Sequence, residues 1–250
     1  MLNEKGLACS GRQAIVLLSG GLDSAVTLYF AKKQGFKCYC LIFDYGQRHR
    51  REVESAKKIA KVADCPIQII KINLPWRGSS LLDKNIKVTK TPLDFTRLRS
   101  PQVARGKQGH NDTSDIPSTY VPGRNIIFLS FALSYAEAIK AEAIFIGAHI
   151  QDYSGYPDCR PEFYQEFSRV IATGTKAGIK KSKIQIKTPL IRKTKAQIIR
   201  LGANLGVPFG LTWSCYQGGK KPCRRCDSCY FRARGFQEAG LIDPLLSKSS

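Results

Sequence analysis

A doubly wound α/β fold around a mainly parallel sheet is predicted by three features of the sequence. An unbroken apolar run at 14–18 passes through two glycines into an amphipathic segment, the strand–turn–helix order of a βα unit. The same rhythm returns downstream. Finally, 250 residues with 43% hydrophobic content suffice for one large core and a small appendage.

The elements follow in order. The stretch "LLSGGLDSAVTLYF" opens the first helix, where Ala25, Leu28, Tyr29 and Lys32 recur at helical spacing and Gly35 stands at a left-handed stop. Residues 36–43 read as strand two and 67–72 as strand three. Between them, 50–63 reads as a helix with Val53, Ala56, Ile59 and Ala60 inward. Residues 74–119 break the rhythm with Pro, Gly, Ser, Asp and basic residues, and 99–115 is long enough for a mobile loop or lid. Order returns at "YVPGRNIIFLSFALSYAEA", where Asn125 is the expected cap of a helix carrying Phe128, Leu129, Ala132, Leu133 and Ala136. A further buried strand follows at 143–148. The expected organisation is one α/β domain over 1–210, with a mobile insertion at about 74–119, and a C-terminal segment over 211–250 packed on it.

Composition limits the function. No run of about 18 apolar residues and no secretory leader pattern occurs, so a cytoplasmic protein without a membrane span is expected. Nine cysteines, an odd number, favour reduced thiols and metal ligation over a disulfide framework. Forty Lys and Arg against 19 Asp and Glu give a net charge of +21, which suits a polyanionic partner such as RNA or a field that gathers nucleotides. The basic residues are spread along the chain without aromatic alternation, so nucleic acid is not the favoured partner.

The glycine turn carries chemistry. Gly20 and Gly21 let backbone approach a ligand, and the free N–H groups opening the helix favour an anion. Neither the wider loop nor the lysine of a GxxxxGK[ST] loop is present. Ser19 and Ser24 instead flank the glycines, with Asp23 as the only charge and a candidate to recruit Mg²⁺, an arrangement suited to pyrophosphate as a leaving group. In open α/β sheets sites lie beyond the carboxyl ends of strands. Asp44, after strand two, is therefore a candidate for a ribose hydroxyl or a metal. The loop "HIQDYSGYPDCRPEFY" places Asp152, Tyr153, Tyr156, Asp158 and Arg160 where a flat, hydrogen-bonding ring could bind. Cys215, Cys223, Cys226 and Cys229 form C-x7-C-x2-C-x2-C, a set able to hold one structural Zn²⁺ through bonds of about 2.3 Å, ahead of an iron–sulfur cluster.

"SGGLDS" resembles the pyrophosphate loop of the N-type ATP pyrophosphatases. Together with "FDYGQRH", "YVPGRNIIFLSFALSYAEA", "DYSGYPDCRPEFY", "KTKAQII", "LTWSCY" and "CRRCDSC" in that order, it resembles the 7-cyano-7-deazaguanine synthase family over most of the chain. That resemblance implies a Rossmann-like, adenine nucleotide alpha-hydrolase-like sheet of ATP pyrophosphatase type, and conversion of 7-carboxy-7-deazaguanine and ammonia to the nitrile with ATP and Mg²⁺. A carboxylate is a poor electrophile, so an adenylating loop would form an acyl-adenylate, then an amide, then adenylate the amide oxygen for its loss. Leu18, Ser19, Gly20, Gly21, Leu22, Asp23, Ser24 and Asp44 are assigned to ATP. Asp23, Lys195 and Arg124 are the catalytic candidates, with Lys176 as a further charge-neutralising cation. Asp152, Tyr156, Asp158 and Arg160 are assigned to substrate.

Residue two is Leu2, where an amino-terminal glutaminase would carry its nucleophilic cysteine, and Cys9 lies too far in. Free ammonia is therefore the expected nitrogen donor. A homodimer is expected. The alternatives are an enzyme of the same loop type modifying a base within tRNA, and a zinc-stabilised nucleic-acid protein without catalysis, which leaves "SGGLDS" unexplained.

Overall fold

The computed structural model describes residues 11–76, 78–83, 85–88, 116–149, 155–180 and 184–246. Among them are five strands, β1 (Gln13–Leu17), β2 (Lys37–Asp44), β3 (Ile67–Lys71), β4 (Ala143–Phe145) and β5 (Gln185–Lys187). The helices are α1 (Leu22–Lys33), α2 (Arg51–Val62), α3 (Arg124–Ala138), α4 (Pro161–Gly174), the short α5 (Lys176–Ile179), α6 (Lys195–Asn204) and α7 (Asp227–Ala239). None of them is long and apolar enough to cross a membrane.

The sheet runs β3-β2-β1-β4-β5 with every pairing parallel. Ala14 of the central β1 faces Cys38 on one side and Ala143 on the other. Chain order reverses between β1 and β4, so the loops leaving these two strands border a crevice at their carboxyl ends. Alternation along the strands divides the core into two layers. Ala14, Val16, Cys38, Cys40 and Ile42 pack towards α1, α2, α6 and α7, whereas Ile15, Leu17, Leu41 and Phe43 pack towards α3 and α4. Both faces are covered, and that is why these strands read as continuous apolar runs.

Three details differ from the sequence expectation. β4 ends at Phe145: Ile146 N–H still donates to Lys187 O, but the chain beyond it leaves the ladder and Gly147 packs close against the Asp23 backbone of α1. β5 has no apolar run to announce it, since its residues alternate lysine or glutamine around Ile186. Asn125 does not cap α3: Gly123 holds that position at φ 62°, and Asn125 lies buried inside the helix. The lid expected at 99–115 lies outside the described residues. The described ends of the insertion meet where Ser80 N–H donates to Ser118 O at 2.7 Å.

The C-terminal segment is clasped to the sheet domain through one arginine. Arg232 of α7 is buried and donates to both Asp243 oxygens at 2.7 and 2.9 Å, to Thr212 Oγ1 at 2.7 Å and to Phe209 O at 3.1 Å. Its forked donors satisfy a carboxylate and a turn at once, the geometry in which a buried ion pair holds. Arg232→Ala would leave the Asp243 carboxylate buried and unpaired. Urea denaturation should then show a loss of about 3–5 kcal/mol of unfolding free energy.

Candidate functional site

The site grows from the end of β1. After Leu18 the chain reaches Gly20 at φ +86°, where a Cβ would lie 2.1 Å from the Glu52 carbonyl oxygen of α2. Only glycine fits this contact. Gly21 then serves as the N-cap of α1 without a side-chain cap bond, so the helix opens on exposed N–H groups. The two serines close the loop on itself. Ser19 Oγ lies 3.0 Å from Ser24 Oγ and accepts from Gly21 N–H at 3.3 Å, and Ser24 Oγ donates to Gly21 O at 3.1 Å. The result is a set of hydroxyls and amides at the positive end of a helix, an arrangement with the donors an anion needs.

Asp23, in the first turn of α1, meets two residues from distant parts of the chain. Lys195 Nζ donates to Oδ1 at 2.8 Å and to Oδ2 at 2.9 Å, and lies 2.8 Å from His149 Nε2. Burial would push the Asp23 carboxyl up, but Lys195 beside it, with His149, holds it well below the usual carboxylate range. Lys195 is set by a capping box at the start of α6, with Thr194 and Gln197 exchanging bonds at 3.3 and 2.9 Å. Its stem crosses α7 at Gly235, where a Cβ would come within 2.4 Å of Lys195 Cγ.

Asp23 and the serine–glycine loop border a cavity of about 260 Å³. Its far wall is aromatic: Phe43 and Phe128 stack at 3.9 Å with planes 6° apart, and Tyr45 meets Phe128 edge-on at 5.4 Å. A flat apolar wall facing polar groups suits a planar heterocycle. Arg124, the first residue of α3, reaches the same cavity and sits against Tyr45. Glu52 lines it from α2, its carboxyl pushed up to about 7 by burial, with Cys215 adding to the rise and Arg124 opposing it.

The residues predicted from sequence fall into three groups. Leu18, Ser19, Gly21, Leu22, Asp23, Ser24, Arg124 and Tyr156 line the cavity, Gly20 supports it from behind, and Lys195 reaches it through Asp23. Tyr156 is held by a 2.5 Å bond to Thr119. A second group is described but stands apart. Asp44 ends β2 and pairs with Arg50 at 3.7 Å, and Arg160 and Lys176 are exposed outside the cavity lining. Asp158 is buried and accepts the Asn125 backbone N–H at 2.9 Å, so its carboxylate caps α3 and thereby sets Arg124. Asp152 and Tyr153 lie outside the described residues. His149 and Glu52 are the additions. The position of His149 directly after the β4 run is a usable signal, whereas Glu52 reads as one more polar residue on an amphipathic helix.

The four cysteines converge. The Sγ atoms of Cys215, Cys223, Cys226 and Cys229 all lie within 4.8 Å of one another, and Cys223 and Cys229 are 3.9 Å apart. Backbone N–H groups point at sulfur: Cys223 N–H to Cys215 Sγ at 3.3 Å, and Arg225 and Cys226 N–H to Cys223 Sγ at 3.4 Å each. Sulfurs so spaced, already accepting amide donors, fit one tetrahedral metal ion with no coordination position left for substrate. Without a cation they cannot all ionise: Cys215 is drawn down by hydrogen bonds from Cys226 and Cys229, and Cys226 is pushed up to about 12, chiefly by Cys215. The cluster is tied to the loop. Trp213 N–H donates to Gly20 O at 2.9 Å, its indole donates to Cys215 O at 2.9 Å, and Arg51 lies 4.8 Å over its ring.

Two outcomes are expected from this geometry. Cys226→Ser should lose bound metal, read by elemental analysis, and lower the thermal midpoint, because such a site contributes on the order of 10 kcal/mol to folding. Glu52 binds its proton more tightly in the folded state than in the unfolded chain. It therefore costs nothing below about 4.5 and its full penalty above about 7. Glu52→Gln should raise the thermal midpoint at pH 8.5 and change it little at pH 4.5.

Residues 13–240 match the family model described as "Queuosine biosynthesis protein QueC". The 7-cyano-7-deazaguanine synthase of Trichodesmium erythraeum is 48% identical over 94% of this chain and 100% of its own length. That of Nostoc sp. is 49% identical over 93% and 96%, and that of Thermoplasma volcanium 45% identical over 94% and 90%. Among solved structures, the NMN synthetase of Francisella tularensis superposes with a TM-score of 0.46 at 15% identity over 92% of this chain and 78% of its own. With the match running from β1 to the end of α7, the chain belongs to the QueC family of queuosine biosynthesis proteins.

Proposed function

We propose that the protein converts 7-carboxy-7-deazaguanine and ammonia to 7-cyano-7-deazaguanine at the expense of two ATP. The observation that carries this reading is that one cavity joins the serine–glycine loop at the start of α1 to an aromatic wall and Arg124. The loop receives the β- and γ-phosphates of ATP, and the aromatic wall is wide enough for a purine-like ring.

The substrate carboxylate attacks the α-phosphorus. An O–P bond forms as the bond to pyrophosphate breaks, and the leaving charge is met by the Ser19–Ser24 loop and Lys195. Arg124 orients the carboxylate by a forked contact. Ammonia displaces AMP to give the amide, and a second adenylation on the amide oxygen permits its loss as the nitrile forms. Water kept from the cavity protects each adenylate from hydrolysis. Asp23 suits Mg²⁺: its side chain is 26% exposed, and Lys195 takes only some of its lone pairs. Bound there, Mg²⁺ would neutralise phosphate charge. The four thiolates suit Zn²⁺ in a structural role.

Complete turnover should consume two ATP and yield two AMP and two pyrophosphate per nitrile, with amide accumulating when ATP is limiting, as read by chromatography and mass spectrometry. Ammonium should support product where glutamine does not. ADP as the only nucleotide product would overturn the reading.

A further inference from the structure

Among the described residues, two carboxylates line the cavity, Asp23 and Glu52. They are in different situations. Asp23 is bound through both oxygens to Lys195. The Glu52 carboxylate makes no hydrogen bond or ion pair among the described residues, although the surrounding protein half-buries it. Charged and titratable neighbours face it from each adjoining element: Arg124 from α3, Tyr45 beyond β2, and Cys215 from the C-terminal segment. None neutralises it by direct pairing. Leaving such a group unpaired costs stability, so the position points to a task other than holding the fold.

Its placement is fixed. The Glu52 carbonyl packs against Gly20, which anchors the first turn of α2 to the serine–glycine loop, and Glu52 lines the same cavity as that loop and Arg124. A carboxylate here would repel phosphates and would not seek them. The groups in this reaction that shed positive charge are the nitrogens. Ammonia loses a proton as it becomes an amide, and the same nitrogen loses another as the adenylated amide becomes a nitrile.

We propose that Glu52 is the catalytic base that takes these protons. The proposal rests on the acyl-adenylate reading above. In the first step the ammonia lone pair forms the C–N bond, the C–O bond to AMP breaks with its electron pair leaving on AMP, and one N–H proton passes to the Glu52 carboxylate. In the second, attack of the amide oxygen on the α-phosphorus leaves the nitrogen doubly bonded to carbon with two protons; one passes to solvent as the imidate forms, and Glu52 takes the remaining one as the nitrogen completes the triple bond and the C–O bond to AMP breaks. Between the steps Glu52 returns its proton to solvent. Burial holds its carboxyl at about 7, matched to a proton acceptor at neutral pH.

The test separates adenylation from the nitrogen steps. ATP–pyrophosphate exchange with 7-carboxy-7-deazaguanine, without ammonium, reads the first, and amide and nitrile formation with ammonium read the second. Glu52→Gln should slow the nitrogen steps about 100-fold more than the exchange. Per unit of free ammonia, the wild-type rate should rise as pH passes about 7. That inflection should vanish in Glu52→Gln and persist at lower rate in Glu52→Asp, with circular dichroism showing all three folded. Equal slowing of exchange and nitrogen steps, or an unchanged pH profile in Glu52→Gln, overturns the role of Glu52 while leaving adenylation in place. Absence of exchange in the wild type overturns adenylation and the proposal together.

Discussion

The close approach at Gly20 is the constraint on which the other contacts depend. Three parts of the molecule meet at that one backbone unit: the end of β1, the first turn of α2, and Trp213 of the C-terminal segment. A side chain there would push α2 off the sheet by colliding with the Glu52 carbonyl and the Ala56 amide. Displacing α2 would carry away Arg51, and with it the cation stacked on Trp213. The serine–glycine loop, the wall bearing Glu52 and the cysteine cluster are thus held in one arrangement by the absence of a single Cβ.

A second constraint operates through charge. Lys195 holds the Asp23 carboxyl ionised in its partly buried place, and the two are joined through both carboxylate oxygens. The pair also sets geometry, since Lys195 is positioned by its capping box and by the gap at Gly235 of α7. Asp158 plays a comparable part for Arg124. It fastens the start of α3, whose own N-cap, Gly123, offers no side-chain acceptor. The residues nearest the cavity are therefore held by others that never reach it.

What the sequence reveals follows from how local each signal is. The sheet was legible because a parallel strand buried on both faces must be apolar throughout, as at Val16, Leu41 and Ile42. The turn "SGGLDS" and the spacing of Cys215, Cys223, Cys226 and Cys229 were legible because each set works within a few residues of itself. β5 was not, since its three residues depend on β4 for their pairing. Glu52 was not, because on α2 it reads as one more polar residue beside the apolar stripe of Val53, Ala56, Ile59 and Ala60, and only the tertiary packing that forms the cavity places it there. The expectation for Asp158 shows the reverse limit. A carboxylate in a strand-following loop reads as a ligand group, but whether it faces a cavity or a helix start is decided by tertiary contacts to Asn125.

The tie between Trp213 and Gly20 bears on how the protein comes into being. Translation delivers the phosphate loop first, yet its backbone partner and the lysine that pairs with Asp23, 172 residues further on, leave the ribosome far later. Contacts of such long range are made slowly, after much loop entropy has been given up. The nascent chain must therefore carry the serine–glycine loop without these partners until they have been made. The Arg232–Asp243 clasp, near the last described residues, forms later still. The loop at the end of β1 is thus finished by residues from the far side of the described sequence.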